Sequence, residues 1–199
     1  MIAHLRGTLL EKHPNQVIVD VHGVGYEVTI PVSAYSSLPE KGAPVSLHIH
    51  TQVREDALML FGFVTTSEKA LFEKLITVSG IGPKLAVTAL GGLPAAELAA
   101  AIRSGSLEQL VKIPGVGKKT AERMVLELRD KLDLAGLPAR TDMGATRGAF
   151  DANEEDVISA LMNFGASRAA GEAAVTKAKS GTEGNTFDAL FRRALKLVR

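Results

Sequence analysis

The sequence carries one stretch twice, as LITVSGIGPKLAVTAL at residues 75–90 and as LVKIPGVGKKTAERMV at residues 110–125. The second copy begins 35 residues after the first, and five of the sixteen aligned positions are identical. Most other positions keep their apolar character, including Ile81 opposite Val116 and Leu90 opposite Val125. Because a whole frame of helix, glycine turn and helix recurs, a duplicated structural unit is predicted.

Each copy predicts a helix-hairpin-helix unit, in which a short glycine turn joins two helices. Glycine permits positive φ and leaves no Cβ between backbone and ligand, while the apolar residue between the two glycines anchors the turn. The next helix then begins at the surface, where its free N–H groups and partial positive charge suit a phosphate. Lysines are unfavourable for a helix at its N-terminus, so their presence there indicates an anionic partner. The predicted contacts to the DNA backbone are Gly80, Gly82, Lys84, Gly115, Gly117, Lys118, Lys119, Thr120 and Arg123.

Other uses of these glycine turns fit the spacing poorly. Residues 117–120 resemble the end of an ATP-binding P-loop, but Lys112 stands where that motif needs its first glycine. The first turn lacks the third glycine of a dinucleotide-binding motif, because Leu85 occupies that position. No cofactor is therefore predicted. Two ordinary helical hairpins with glycine turns remain the alternative, whereas phosphate-binding hairpins would hold DNA without sequence preference.

The first 64 residues predict a small β-barrel. Five β-rich runs, several of them alternating apolar and polar residues, are separated by short turns, and this pattern favours a five-stranded OB-like barrel. The predicted strands are residues 2–10, 16–22, 26–31, 45–53 and 58–64. The segment carries four Lys/Arg against six Asp/Glu, so its aromatic residues are expected mainly in the core rather than on nucleic acid.

The remaining residues change to a helical period, which makes the chain an α+β multidomain protein. Residues 1–64 form the barrel, and residues 65–135 form the tandem helix-hairpin-helix domain. Residues 136–152 lack an apolar period and are predicted to be a flexible linker. Residues 153–199 carry two apolar stripes with a further helix expected between them at residues 168–179, which predicts a small three-helix domain suited to docking a partner.

Composition excludes several classes of protein. The absence of cysteine excludes disulfides, thiol chemistry and cysteine-based zinc sites. No apolar stretch is long enough to span a membrane, and Arg6 and Glu11 interrupt the first apolar run, so neither a membrane anchor nor a signal peptide is expected. A cytoplasmic location is expected. The net charge of +1 decides little, although the helix-hairpin-helix segment carries ten Lys/Arg against eight Asp/Glu.

Several motifs resemble those of the RuvA family, and together they cover nearly the whole chain. They are MI…LRG at residues 1–7, GVGYEV at 23–28, VREDA at 53–57, LFGF at 60–63, GIGPK at 80–84 and IPGVGKKTAER at 113–123. The order of domains in that family is the order inferred above. The similarity is weakest in the last domain, where Phe164-Gly165-Ala166 replaces the more usual Leu-Gly-Tyr. Contacts of that domain with a partner, for which Leu161, Phe164 and Ala170 are candidates, are thus left open.

The resemblance implies a non-catalytic DNA-binding subunit with no catalytic residues. Members form homotetramers, alone or as two tetramers face to face, that hold a four-way (Holliday) junction open and square. Their last domain recruits the RuvB ATPase, a hexameric motor that drives branch migration in recombination and DNA repair. A junction resolvase acts in the same complex. Closed fourfold symmetry suits a ligand with four arms, since each subunit can serve one arm with the same surface.

The resemblance also assigns Glu55 and Asp56 as an acidic pin facing the junction centre. By physical reasoning, carboxylates there would repel phosphates at the crossover and disfavour a folded junction. The alternatives are a solvated turn or a metal-binding nuclease pair, and no further acidic cluster is visible to complete the latter. His48 and His50 share one strand face, where a metal site would need further ligands. No metal site is predicted.

Two other functions remain as alternatives. A helix-hairpin-helix nuclease or base-excision glycosylase would need a catalytic acid or lysine near a base-flipping pocket, and none follows the second hairpin. An RNA-binding protein that uses the barrel would prefer RNA to a DNA junction.

Overall fold

The structure is a computed structural model in which residues 1–133, 150–179 and 186–198 are described. The chain divides into two compact units, Met1–Arg140 and Thr141–Arg199. The predicted flexible linker at residues 136–152 falls outside the described residues, except for its last three positions.

The N-terminal segment folds as a closed five-stranded barrel, which confirms the predicted architecture. The strands are β1 (His4–His13), β2 (Gln16–Val21), β3 (Val24–Thr29), β4 (Pro44–Val53) and β5 (Leu58–Phe63). They are joined in the order β1-β2-β3-β5-β4, and β4 pairs with β1 to close the ring. All pairs are antiparallel except β3 with β5, which meet in parallel at Thr29 and Phe61. Side chains alternate along β2, so that Val17 and Val19 are fully buried inside.

Two details of the barrel differ from the sequence prediction. The turn between β2 and β3 is tighter than residues 23–25, because His22 and Gly23 both adopt positive φ and Val21 pairs directly with Val24. This is the geometry that a two-residue hairpin turn requires. A short helix, α1 (Val32–Tyr35), also lies between β3 and β4 and was not predicted. Its four residues are too few to show a helical period.

Five helices make up the tandem segment that follows the barrel. They are α2 (Thr66–Leu75), α3 (Pro83–Gly92), α4 (Ala95–Ser104), α5 (Leu107–Leu110) and α6 (Lys118–Asp133). Thr65 is the N-cap of α2, because its hydroxyl and the carboxylate of Glu68 form a reciprocal capping box.

The barrel has an apolar core of its own, and two of its residues, Phe61 and Phe63, belong to the core of the helices. Phe72 of α2 packs on Phe61 and Phe63 of β5, with ring centroids 5.3 and 4.9 Å apart. Ser33 of α1 also donates a hydrogen bond of 2.9 Å to the carbonyl of Leu90 at the end of α3. The helices are therefore held in a fixed orientation on the barrel.

The last unit contains three helices, α7 (Ala152–Asn163), α8 (Arg168–Ala178) and α9 (Phe187–Leu197), as predicted. Their buried contacts include Val157, Leu161, Val175 and Leu190. The buried carboxylate of Glu154 caps α7 and lies 2.6 Å from the Nζ atom of Lys179, which ties the start of α7 to the end of α8.

In the described residues no single helix is both long and apolar enough to cross a membrane. The pair α3 and α4, bent by 101°, meets that criterion only when the two are taken together.

Candidate nucleic-acid interface

The two glycine turns have the same backbone structure. We call residues 78–82 the first hairpin and residues 113–117 the second hairpin. Each backbone hydrogen bond of one turn has a counterpart 35 residues along the chain. In the first unit the N–H groups of Val78, Ile81 and Ala86 donate to the carbonyls of Leu75, Val78 and Gly82, in that order. In the second unit the N–H groups of Ile113, Val116 and Ala121 donate to the carbonyls of Leu110, Ile113 and Gly117. The repeat in sequence is thus a repeat in structure.

The first glycine of each hairpin is required by the path of the backbone. Gly80 has φ of +89° and Gly115 has φ of +85°. These values lie in the left-handed region, which residues with a Cβ rarely adopt. Between the glycines, Ile81 and Val116 point inward and are each 5% exposed, so they anchor their turns in the core.

The second glycine of each hairpin has no such internal reason. Gly82 has φ of −86° and ψ of 171°, angles that any residue adopts, and Gly117 also lies outside the left-handed region. A Cβ at Gly82 or Gly117 would meet no atom within 4 Å. Neither strain nor packing therefore explains these glycines, whereas close approach of a ligand to the backbone does.

The helices that leave the hairpins present positive charge at their N-termini. Lys84 in α3 and Lys118 and Lys119 in α6 are exposed, and Thr120 is half-buried. The first turn of neither helix contains an acidic residue. Gly82, the N-cap of α3, makes no side-chain capping bond. The helix dipole and the lysines thus act on the same region of the surface, where an anion would be attracted.

The side chain of Arg123 makes a contact that the sequence does not indicate. It lies one turn into α6, but its Nη1 atom donates hydrogen bonds to the carbonyl and the hydroxyl of Ser79, at 3.3 and 3.4 Å. The guanidinium of the second unit thus contacts the first hairpin. No sequence signal reveals this contact, because it joins residues 44 positions apart.

Glu55 and Asp56 lie on the exposed turn between β4 and β5, as the hairpin prediction requires. The N–H of Arg54 donates to the carbonyl of Ala57 at 2.8 Å and closes this turn. Asp56 also lines a cleft with a volume of about 470 Å³, together with Gly82 and Lys84. The fold therefore brings the acidic turn beside the first hairpin, although the two are distant in sequence.

The histidines on β4 have partners within the protein. His48 packs edge-on against His4, at 5.6 Å between ring centroids. The Nδ1 atom of His50 lies 3.2 Å from Glu73. Among the described residues, no group of three or more potential ligands is arranged to hold a metal ion.

In the C-terminal unit, the structure distinguishes the three candidate docking residues by their exposure, which the sequence did not reveal. Leu161 is fully buried in the core, Ala170 is half-buried and Phe164 is 72% exposed. Phe164 packs on Phe191, which stacks in turn on Phe187, at ring distances of 5.8 and 5.7 Å. We call Phe164, Phe187 and Phe191 the aromatic patch.

Arg168 lies elsewhere in this unit, and its hydrogen bond to Glu172 and the nearby charge of Glu155 raise its pKa above the ordinary value.

Sequence comparison finds relatives of the whole chain. A family profile described as RuvA N terminal domain matches residues 1–62, and one described as SAM-like Helix-hairpin-helix tandem matches residues 72–130. A protein of Solibacter usitatus named Holliday junction branch migration complex subunit RuvA is 59% identical, with both chains covered completely. A protein of the same name from Acidobacterium capsulatum is 54% identical, again over both complete chains. A third, from a Geobacter species, is 48% identical over all of this chain and 99% of its own.

Proposed function

Since this chain belongs to the RuvA family, we propose that it binds four-way DNA junctions through their phosphate backbones and without sequence preference. The observation that carries the proposal is the pair of hairpins whose second glycines face open space. A phosphate oxygen can approach those backbones closely and accept hydrogen bonds from the N–H groups at the helix starts. Two such sites on one subunit would grip successive phosphates of one duplex arm.

Positive side chains add the long-range part of the attraction. Lys84 stands at the first site, and Lys118 and Lys119 stand at the second. Neutralising phosphates releases counterions from DNA, so binding is expected to weaken steeply as salt rises. Base edges play no part in such contacts, which suits a junction that must move through any sequence.

The acidic turn would act at the centre of the junction. Since Asp56 lines the same cleft as Gly82 and Lys84, it would lie near a DNA strand bound at those residues. Carboxylates there would repel phosphates that approach the crossover, so the arms would stay apart and base pairs could exchange. The hairpins and the acidic turn therefore have opposite electrostatic roles, one attracting the arms and the other keeping the centre open.

The assembly we propose is a homotetramer, used singly or as a face-to-face octamer, in the cytoplasm. Each subunit would bind one arm with the same surface. The C-terminal unit would recruit the RuvB ATPase, and a junction resolvase would join the same complex. The chain itself would hold the DNA and leave ATP hydrolysis and strand cleavage to those partners.

The test compares binding to a four-way junction and to a linear duplex of matched length, at physiological salt, with the oligomer mass measured in solution. We expect strong preference for the junction and a mass of four or eight chains. Equal binding of both DNAs by a monomer would contradict junction recognition. Cleavage of labelled DNA with Mg²⁺ alone would support the nuclease alternative.

A further inference from the structure

The two hairpins are attached to the rest of their unit in different ways. Across the first hairpin, Arg123 of α6 donates two hydrogen bonds to Ser79, and its Nη1 atom lies 3.7 Å from where a Cβ on Gly80 would be. Across the second hairpin, the contact comes from Leu85 of α3, whose Cδ1 atom lies 3.0 Å from where a Cβ on Gly115 would be. One attachment is polar and the other is apolar.

The repeat makes this difference informative. The residue of the first unit that corresponds to Arg123 is Thr88, 35 positions earlier. Its hydroxyl donates to the carbonyl of Lys84 at 2.9 Å, within its own helix, and so stays away from the second hairpin. Arg123 is therefore an addition to the shared frame.

The first hairpin has few other restraints. Ser79, Gly80 and Gly82 are exposed, and Val78 and Ile81 are its buried anchors. A glycine-containing turn that is anchored only at Val78 and Ile81 and exposed between and beyond them loses conformational entropy when a ligand orders it, and that loss weakens binding. A hydrogen bond from a charged guanidinium restricts the turn before any ligand arrives.

We propose that Arg123 is a positioning residue, which fixes the first hairpin relative to the second so that both phosphate sites are already spaced for DNA. Its Nε and Nη2 atoms make no hydrogen bond within the described residues, so they stay available to a phosphate at the same time. This proposal rests on the proposed function for its ligand. The hydrogen bond to Ser79, however, exists without DNA and is testable without it.

The experiment uses the full chain and compares Arg123→Ala, Arg123→Lys and a control, Arg129→Ala, which removes another exposed arginine of α6. Amide hydrogen exchange is measured without DNA, and junction affinity is measured as a function of salt. Lysine keeps the charge but lacks the planar fork of arginine. We expect faster exchange of the Ile81 amide, which donates to the carbonyl of Val78, in both Arg123 variants, and unchanged exchange of the Val116 amide, its counterpart in the second hairpin. We also expect Arg123→Lys to bind the junction about three- to tenfold more weakly, with the salt slope of the unmodified protein.

Three outcomes would overturn the proposal. Wild-type affinity in Arg123→Lys would mean that only the charge matters. Unchanged exchange at the first hairpin would mean that Arg123 does not restrain it. Faster exchange in both hairpins, together with a lower thermal midpoint, would mean a general structural role. If the unmodified protein shows no preference for junctions, the proposed function fails, while the exchange measurement still decides whether Arg123 holds the hairpin.

Discussion

Gly80 and Gly82 are two residues apart, yet the structure explains them differently. The positive φ of Gly80 is a requirement of the turn, and the same holds for Gly115 in the second hairpin. Gly82 and Gly117 have neither a strained backbone nor a close neighbour. The same residue type therefore serves folding at one position and, in our proposal, ligand approach at the other.

This difference predicts opposite effects of alanine in the second hairpin. Gly117→Ala should leave stability nearly unchanged, because the new methyl group enters open space, but should weaken junction binding on the order of tenfold by keeping a phosphate away from the backbone. Gly115→Ala is the matched control and should lower stability by about 1–2 kcal/mol, because its backbone is left-handed. Thermal unfolding and a binding titration measure the two quantities. Unimpaired binding by Gly117→Ala would contradict the proposed site.

Lys119 should contribute charge rather than sequence recognition. Lys119→Ala is expected to weaken binding to all DNA sequences alike and to reduce the salt slope by up to about one unit, because one phosphate contact is lost. Titrations at several salt concentrations measure the slope. Arg129→Ala, on the same helix but away from its N-terminus, is the control. An unchanged slope in Lys119→Ala would refute a phosphate contact.

Among the secondary-structure elements, the β4–β5 hairpin is of interest because its tip lies beside the start of α3. By itself it is a strand pair with a polar tip, and such tips are usually solvated. The fold sets that tip beside the start of α3, so that Asp56 and Lys84 line one concave surface. Two charges of opposite sign would then act on DNA bound there, so that in our proposal the β4–β5 hairpin is part of the interface.

Removing the negative charge of this turn should change branch migration without weakening junction binding. The double change Glu55→Gln and Asp56→Asn keeps the shape of the turn, so junction binding is expected to be retained or tightened. Branch migration with the ATPase partner should change, because repulsion at the crossover is lost. Binding titrations and a strand-exchange assay provide the two readouts. A large loss of junction binding would contradict the repulsion argument.

At the scale of the whole molecule, separate apolar cores divide the tasks. Phe61 and Phe63 of the barrel pack into the core of the tandem helices, and this contact holds the acidic turn and both hairpins in a fixed relation. The C-terminal unit has its own core of small helices and exposes the aromatic patch. Exposed aromatic residues that contact one another are typical of a protein-binding surface.

The aromatic patch predicts a loss of partner function without a loss of DNA binding. Phe164→Ala should leave folding intact, since the side chain is 72% exposed, and should leave junction affinity unchanged. Recruitment of the RuvB ATPase should weaken, because alanine truncation of a central aromatic contact commonly lowers affinity at least tenfold. Lys177→Ala, an exposed change in the same unit, is the control. Co-sedimentation on junction DNA measures recruitment, and full recruitment by Phe164→Ala would place docking elsewhere.

Prediction from sequence succeeded where the signal was local or repeated. The glycine spacing located both hairpins, alternation located the strands, and helical periodicity located the three helices of the last unit. It was less successful where the signal was short or long-range. The four-residue helix α1 was missed, and the partner of Arg123 was invisible because Ser79 is 44 positions away.

The sequence by itself determined the duplicated turn, since positive φ and a buried apolar residue between two glycines are requirements of a few adjacent residues. It also determined the positive charge at the helix starts, and it identified the family. Only the tertiary structure decided that the acidic turn lies beside the first hairpin, that Arg123 crosses from one unit to the other, and that Phe164 is exposed while Leu161 is buried. The physical reason is that backbone conformation depends on near neighbours, whereas the meeting of distant side chains depends on how the closed barrel and the helices pack against each other.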